Sequence, residues 1–303
     1  MKAAKVIATT FAKRSFRSKT YLIGDPLGYF GHSQIFKNEE DIINLIKFNI
    51  FIEKKYKPGI KKRDLIIINN DIGFKKGNSF LKKISGKKIP FGKIIVCNRK
   101  NIGMSFGAYD YAFKKFKNNY DYFLFTEDDN IVFKNNYFKI GIDLFNSNKK
   151  AGYLAYIHST KVDKSYYKPL NLNKNNAISC HGGAGLSSKI ILKKILNKYG
   201  CIPHFKGNNY QKCITYGEVG FPNSIVKMGY DIIDLPRNLI LTVPACDLMN
   251  GIKYKKWPTL NEKFIFYFKT YLYKLFSINS ISLKLYLKTI KLLKQIFFNK
   301  NNV

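Results

Sequence analysis

Acidic residues are scarce in this chain. Only 19 of 303 residues are Asp or Glu, against 53 Lys and Arg, which gives a formal net charge of +34. That imbalance implies attraction to polyanions: nucleic acid, nucleotide phosphates or an anionic membrane surface. Arginine is scarce as well, with Arg14, Arg17, Arg63, Arg99 and Arg237 as the whole set. Groove-reading proteins rely on Arg for bidentate base contacts. An arginine-poor, lysine-rich chain therefore argues against specific nucleic-acid readout and fits loose electrostatic attraction. The abundance of Lys, Asn, Ile, Phe and Tyr is also what a compositionally biased genome produces.

Cysteine is sparse and scattered. Cys97, Cys180, Cys201, Cys213 and Cys246 are odd in number and form no CxxC pair, so neither a zinc site nor a disulfide framework is suggested, and they read as reduced, intracellular thiols. No uncharged apolar run reaches the roughly 18 residues a spanning helix needs. Met1–Thr10 lacks the apolar core of a secretion signal. These absences lead us to expect a cytoplasmic protein, with a peripheral place on the inner face of the cell membrane left open. Hydrophobic residues make up 46%, enough for a packed core in one large α/β domain or a domain plus an appendage.

Against this background, three adjacent acids stand out: Glu127, Asp128 and Asp129 follow the apolar run Tyr122–Phe125. The run has the length and composition of a buried strand. Three neighbouring carboxylates repel one another and resist losing water. A hard divalent cation, Mg²⁺ or Mn²⁺, resolves that conflict by bridging protein carboxylates to substrate phosphates. The alternative is a solvated strand-to-turn junction with Asp129-Asn130 as turn formers.

The order of elements places that triplet. Lys5–Thr10 reads as a first strand opening into a basic loop with Arg14 and Arg17. Gly24, Pro26, Gly28 and Gly31 mark a further loop. Asn38-Glu39-Glu40-Asp41 starts a helix, acids at its positive end, that runs to about Tyr56 and stops at Pro58-Gly59. Strands are expected at Asp64–Asn69, Lys93–Cys97 and Tyr122–Thr126, with a helix over Ser105–Phe116. This alternation predicts a mostly parallel sheet with helices on both faces. A strand at Ala151–Ile157, a polar insert at 160–178, the glycine-rich Cys180–Gly185, a helix at Ser188–Lys198 and a strand at Tyr230–Leu235 follow.

From about Tyr254 the character changes. Residues 263–300 hold eight Lys and no acid, with Lys284, Lys288 and Lys291 on one helical face and Leu283, Leu287, Ile290, Leu293 and Phe297 on another. Residues 1–250 are thus read as the catalytic-size domain and 251–303 as a basic amphipathic helical extension. Such a helix suits either an interfacial lie on anionic lipid or packing against the main domain.

Four polar segments fall at strand ends, where open α/β sheets bind ligands. They are Ile66–Asp71, Asn98–Ala108, Phe125–Asn130, and His181-Gly182-Gly183 with the later Gly217-Glu218 and Met228-Gly229-Tyr230. In this order they resemble the GT-A (Rossmann-like) nucleotide-sugar glycosyltransferases, most closely the inverting family 2, over roughly residues 3–240. The resemblance implies a nucleotide-sugar donor and a glycan or lipid-linked glycan acceptor. Thr9 then stands at the donor-binding loop, and Asn69 and Asn70 at the pair that reads the base. Asn101-Ile102-Gly103, preceded by Arg99, matches the loop that approaches the nucleotide. Glu127-Asp128-Asp129 stands at the metal position. Glu127 replaces the usual Asp, so Asp129 is the first ligand expected and Glu127 the second. Asp128 either joins the metal or accepts from ribose hydroxyls. Gly182 and Gly183 match the acceptor-side loop, and Glu218 matches the catalytic base. His158, His181 and His204 carry weaker expectations of lining the cleft.

Three rivals remain at this level: a retaining transferase, a nucleotidyltransferase on a similar sheet, and a non-catalytic polyanion-binding protein. A nucleotidyltransferase is expected to carry glycines directly after the first strand, and Thr9–Arg17 has none. A polyanion binder leaves the acidic triplet without a purpose.

Overall fold

The computed structural model describes residues 1–18, 32–36, 38–132, 134–157, 159–162, 164–173, 177–180, 183–236, 239 and 241–244. The glycine-marked loop at 24–31 and the basic extension at 251–303 lie outside the described residues.

The strands are β1 (Lys2–Thr9), β2 (Arg14–Ser18), β3 (His32–Phe36), β4 (Lys62–Asp71), β5 (Lys88–Ile89), β6 (Gly92–Lys100), β7 (Tyr122–Glu127), β8 (Asn130–Val132), β9 (Ala151–Ala155), β10 (Thr160–Lys161), β11 (Ile178–Ser179), β12 (Gly185–Ser188), β13 (Asp231–Asp234) and β14 (Thr242–Pro244). The helices are α1 (Glu39–Lys55), α2 (Lys75–Ile84), α3 (Met104–Phe116), α4 (Tyr137–Ser147), α5 (Lys164–Tyr167), α6 (Lys189–Tyr199), α7 (Tyr210–Cys213) and α8 (Gly220–Val226). A π-helical segment, Ile214–Val219, joins α7 to α8.

Among the described residues, eight strands form the main sheet, in the order β13–β9–β12–β7–β1–β4–β6–β5. β7, β1, β4 and β6 run parallel. They are apolar on both faces, as Ile66, Ile67 and Ile68 of β4 and Phe123, Leu124 and Phe125 of β7 show by being fully buried. Strand order steps one way from β1 to β4 to β6 and then back to β7. Right-handed crossovers therefore put α1 and α2 on one face and α3 on the other. α1 begins as its sequence dictates: the Asn38 side chain accepts from the Asp41 N–H at 3.1 Å, and Glu39, Glu40 and Asp41 fill the first turn.

The expected α/β architecture with a mostly parallel sheet is present. Four elements differ from the sequence reading. Arg14 and Arg17 belong to β2, which pairs antiparallel with β3, and not to a loop. α2 and α4 carry no strong sequence signal and add to the helical layers. β12 is antiparallel to both β7 and β9. Its direction matters for function, because Gly185 opposes Phe125. The chain entering β12 is thereby delivered to the carboxyl end of β7, where the acids stand.

Candidate functional site

The acidic triplet closes β7 and turns at once into β8. Its three carboxylates have different surroundings. Asp128 is fully buried, and its Oδ2 accepts from Thr9 Oγ1 at 2.5 Å. The Asp128 N–H donates to the Ala8 carbonyl at 3.1 Å, and its own carbonyl accepts from Asn49 Nδ2 at 2.6 Å. The residue in the middle of the triplet thus ties the turn to β1 and α1. Glu127 accepts from the hydroxyl of Ser105, in the first turn of α3. Asp129 is buried, and Asn130 Nδ2 lies 3.4 Å from its Oδ1.

Glu218 reaches this corner from a distant part of the sequence. It lies half-buried in the π-helical segment between α7 and α8. Single π turns widen a helix locally and recur at functional sites. The meeting point is Tyr109 of α3, a fully buried phenol. Burial pushes its hydroxyl well above the usual tyrosine range, and Glu127, Tyr153, Asp129 and Glu218 all push it the same way. The geometric link is the packing of this segment on α3, where a Cβ on Gly217 would lie 2.5 Å from Phe106, and all three carboxylates act on Tyr109 in the same direction. The Glu218 carbonyl also accepts from the Cys180 N–H at 3.0 Å. Burial, with Asp234 and Glu218 nearby, pushes the Cys180 thiol up, so it stays protonated and is no nucleophile.

Gly183 sits against the same aromatic wall. With φ at +63°, a Cβ there would lie 2.8 Å from Phe106 Cζ and 2.9 Å from Tyr109 Cε2, so only glycine fits. Its carbonyl accepts from the Tyr153 hydroxyl. Gly182, His181 and His158 lie outside the described residues.

A second polar group gathers at the carboxyl ends of β4 and β6. Asn69 Nδ2 donates to Asn78 Oδ1 at 2.7 Å and to Asn98 Oδ1 at 3.2 Å. Asn70 Nδ2 donates to the Met104 carbonyl at 3.2 Å, and Asn70 Oδ1 accepts from Arg99. Arg99 Nη2 donates to the Ile102 carbonyl at 2.7 Å. Burial pulls the Arg99 guanidinium down, against the opposing pull of Asp110 and Tyr111. Arg99 and Asn70 together hold the Asn101–Gly103 loop. Gly103 has φ +74°, and a Cβ there would lie 2.8 Å from the Phe205 carbonyl oxygen. The Gly103 N–H donates to the Gly207 carbonyl at 2.8 Å. His204 Nδ1 is 2.7 Å from the Ile202 carbonyl, a structural contact. A cavity of about 470 Å³ beside α3 is lined by Arg99, Lys114, Lys115 and His204 among others.

Among the described residues no group of three or more His, Cys, Asp and Glu side chains is arranged to hold a metal by itself. The donor set nevertheless fits a hard cation of the Mg²⁺ or Mn²⁺ type, which takes one or two carboxylates and leaves its remaining positions to water and phosphate. Glu127 and Asp129 offer oxygen only. Five buried side-chain oxygens, Thr10 Oγ1, Asn69 Oδ1, Asn101 Oδ1, Asn130 Oδ1 and Thr242 Oγ1, have no hydrogen-bond partner among the described residues. Thr10 follows β1, Asn101 follows β6, Asn69 lies near the end of β4 and Asn130 opens β8 beside the acids, and buried polar atoms without partners are uncommon enough to call for a ligand or ordered water.

Sequence reasoning missed one feature of this region. Lys5, Glu53 and Arg63 are all fully buried and form an ionic cluster between β1, α1 and β4. Their only sequence signal is charge inside otherwise apolar segments.

The sequence matches no protein-family model and no curated protein. Among solved structures, one similar in chain course is a mannosyltransferase, PcManGT from Pyrobaculum calidifontis, in complex with GDP-Man and Mn²⁺. It has 11% identity and a TM-score of 0.48, over 91% of this chain and 62% of that one. This chain thus spans less than two thirds of that protein's length. A cytidylyltransferase from Leptospira borgpetersenii has 12% identity and a TM-score of 0.41, over 88% and 93% of the two chains. S. aureus TarS 1–349 has 12% identity and a TM-score of 0.40, over 92% and 73%. At such identity and superposition these likenesses bear on neither substrate nor reaction. No helix among the described residues is long and apolar enough to cross a membrane.

Proposed function

We propose that this chain is a metal-dependent glycosyltransferase of the GT-A type. It moves a sugar from a nucleotide-diphosphate donor to a hydroxyl of a cell-surface glycan, with inversion at the anomeric carbon. The observation that carries this reading is that α3 brings the two segments together: Ser105 donates to Glu127, and Gly217, next to Glu218, packs against the adjacent Phe106. A solvated turn of three acids gives no reason for a distant fourth carboxylate to approach it. A transferase needs such a pair of functions close together: oxygen ligands for a cation at the diphosphate, and a base at the acceptor hydroxyl.

In this reading Asp129 and Glu127 would hold Mn²⁺ or Mg²⁺. The bound ion supplies charge neutralisation for the departing diphosphate. Asp128, tied to Thr9, keeps the two flanking carboxylates apart and aimed. Asn69, Asn70 and Arg99 offer amide and guanidinium groups at the strand ends where a nucleotide base would lie. Asn101 and Gly103 let the backbone come close to it. Glu218 takes the proton of the acceptor hydroxyl as that oxygen attacks the anomeric carbon opposite the leaving group. Gly182 and Gly183 would line the acceptor side. The lysine-rich residues 251–303 would hold the enzyme to an anionic bilayer, where a lipid-linked acceptor is found.

Nucleotide release from a panel of nucleotide sugars, measured with and without Mn²⁺ and with crude glycan acceptors, tests this. Turnover of one donor, lost in Glu218→Gln while donor binding persists, is expected. Full turnover by Glu218→Gln removes that residue from the role of base.

A further inference from the structure

A buried ionic cluster connects to the acidic turn through Asn49, and the reaction outlined above does not use it. Lys5 of β1, Glu53 of α1 and Arg63 of β4 each have 0% side-chain exposure. Lys5 Nζ is 2.8 Å from Glu53 Oε1, and Arg63 Nη2 is 3.0 Å from Glu53 Oε2. Tyr137 donates its hydroxyl to Glu53 Oε2 at 2.8 Å. Two cations face one carboxylate. Such clusters are commonly no more stable than well-packed apolar residues of the same volume, so stability alone is a weak reason for one.

The cluster has an exit toward the acidic turn. Asn49 lies one turn before Glu53 on the same face of α1 and is 1% exposed. Its Oδ1 accepts from Lys5 Nζ at 3.4 Å, and its Nδ2 donates to the Asp128 carbonyl at 2.6 Å. The ammonium of Lys5 can only donate, so it fixes which end of the Asn49 amide faces it. The NH₂ end is then forced toward Asp128. Of the hydrogen bonds described for Asp128, those from Thr9 and to Ala8 involve β1, the neighbouring strand. Asn49 grips the carbonyl, which belongs to the peptide plane from which Asp129 departs.

We propose that Asn49 is a positioning residue for the acidic turn, oriented by Lys5 and anchored through Glu53 and Arg63. It sets the direction in which Asp129 leaves the backbone. The proposal rests on the reading of Glu127 and Asp129 as cation ligands for its functional consequence, but not for its structural content.

Two substitutions separate this role from ordinary packing. Asn49→Asp keeps the shape and offers Lys5 a carboxylate, yet loses the donor to Asp128. Asn49→Leu removes both bonds. Ser187→Ala serves as a control, because the buried Ser187 hydroxyl donates at 2.7 Å to the Gly152 carbonyl, away from the turn. Two quantities are measured on the full chain: amide hydrogen exchange over residues 127–130, and Mn²⁺ affinity in the presence of UDP or GDP. Both Asn49 variants are expected to lose protection at 127–130 and to bind Mn²⁺ with nucleotide about tenfold more weakly, the equivalent of one lost hydrogen bond. Ser187→Ala is expected to change melting temperature but neither quantity. Wild-type protection at 127–130 in Asn49→Asp overturns the proposal. So does a loss of affinity that tracks melting temperature equally in all three variants. If the wild-type chain binds no Mn²⁺ with either nucleotide, the transferase reading fails, and the exchange measurement by itself decides the role of Asn49.

Discussion

Ser105, in the first turn of α3, donates its hydroxyl to the carboxylate of Glu127 at the carboxyl end of β7. The loop that approaches the nucleotide in our reading, Asn101–Gly103, leads straight into this helix. One hydrogen bond therefore joins the nucleotide loop to a cation ligand. Ser105→Ala is expected to leave unfolding in urea nearly unchanged, because the pair is only partly buried. It is expected to weaken Mn²⁺ binding in the presence of nucleotide several-fold, as about 1 kcal/mol of lost orientation implies. Calorimetric titration of the variant checks this, and unaltered affinity would separate Ser105 from the site.

Thr9 and Asp128 make a different kind of pair, since both are buried. Thr9→Val keeps the shape and removes the donor. Leaving a buried carboxylate oxygen without this partner is expected to cost about 1–3 kcal/mol, read from the urea midpoint.

Glu53 sets the acid limb of stability. Burial alone would push its carboxyl up, but Lys5 and Arg63, with hydrogen bonds from Lys5 and Tyr137, hold it below the ordinary glutamate range. A carboxyl with a depressed folded-state value binds fewer protons than in the unfolded chain. Its stabilisation is therefore complete above the unfolded value of about 4.3 and is lost as pH falls through the lower folded value. Urea unfolding from pH 7 downward is expected to show little change from this group until below about pH 4. Glu53→Gln strands two buried cations, is expected to cost about 3–5 kcal/mol at neutral pH, and flattens that acid limb.

Glu218→Gln removes the proposed base and keeps its shape. Single-turnover rates are expected to fall by about 10²- to 10⁴-fold, with nucleotide-sugar affinity within a factor of about two. A matching fall in affinity would point to Glu218 as a binding group.

Much of the frame was legible in the residues. β4 and β7 announce themselves as apolar runs that end in polar residues, and α1 by its cap and acidic first turn. The acidic turn, Asn69-Asn70 and the Asn101–Gly103 loop all fall at strand ends, as read. Other parts depend on tertiary contacts that no local pattern records. β12 is only Gly185–Ser188, with one apolar side chain, and is a strand because β7 and β9 flank it. Gly217 and Gly220 suggest a loop around Glu218, yet the segment is π-helical. There Gly217 packs so closely on Phe106 that a Cβ would lie 2.5 Å from its ring. Lys5 looks like an exposed strand residue until Glu53, on a helix from another part of the chain, supplies its counter-ion. Buried charge is legible only once both partners have been placed.

The most direct test is thermal stabilisation by nucleoside diphosphates, with and without Mn²⁺, in the wild-type chain and in Asp129→Asn. A ligand that binds the native state raises the melting temperature. One nucleoside diphosphate is expected to do so only when Mn²⁺ is present, and Asp129→Asn is expected to abolish the metal-dependent part. Stabilisation that ignores Mn²⁺, or that survives intact in Asp129→Asn, would contradict a cation held at the end of β7.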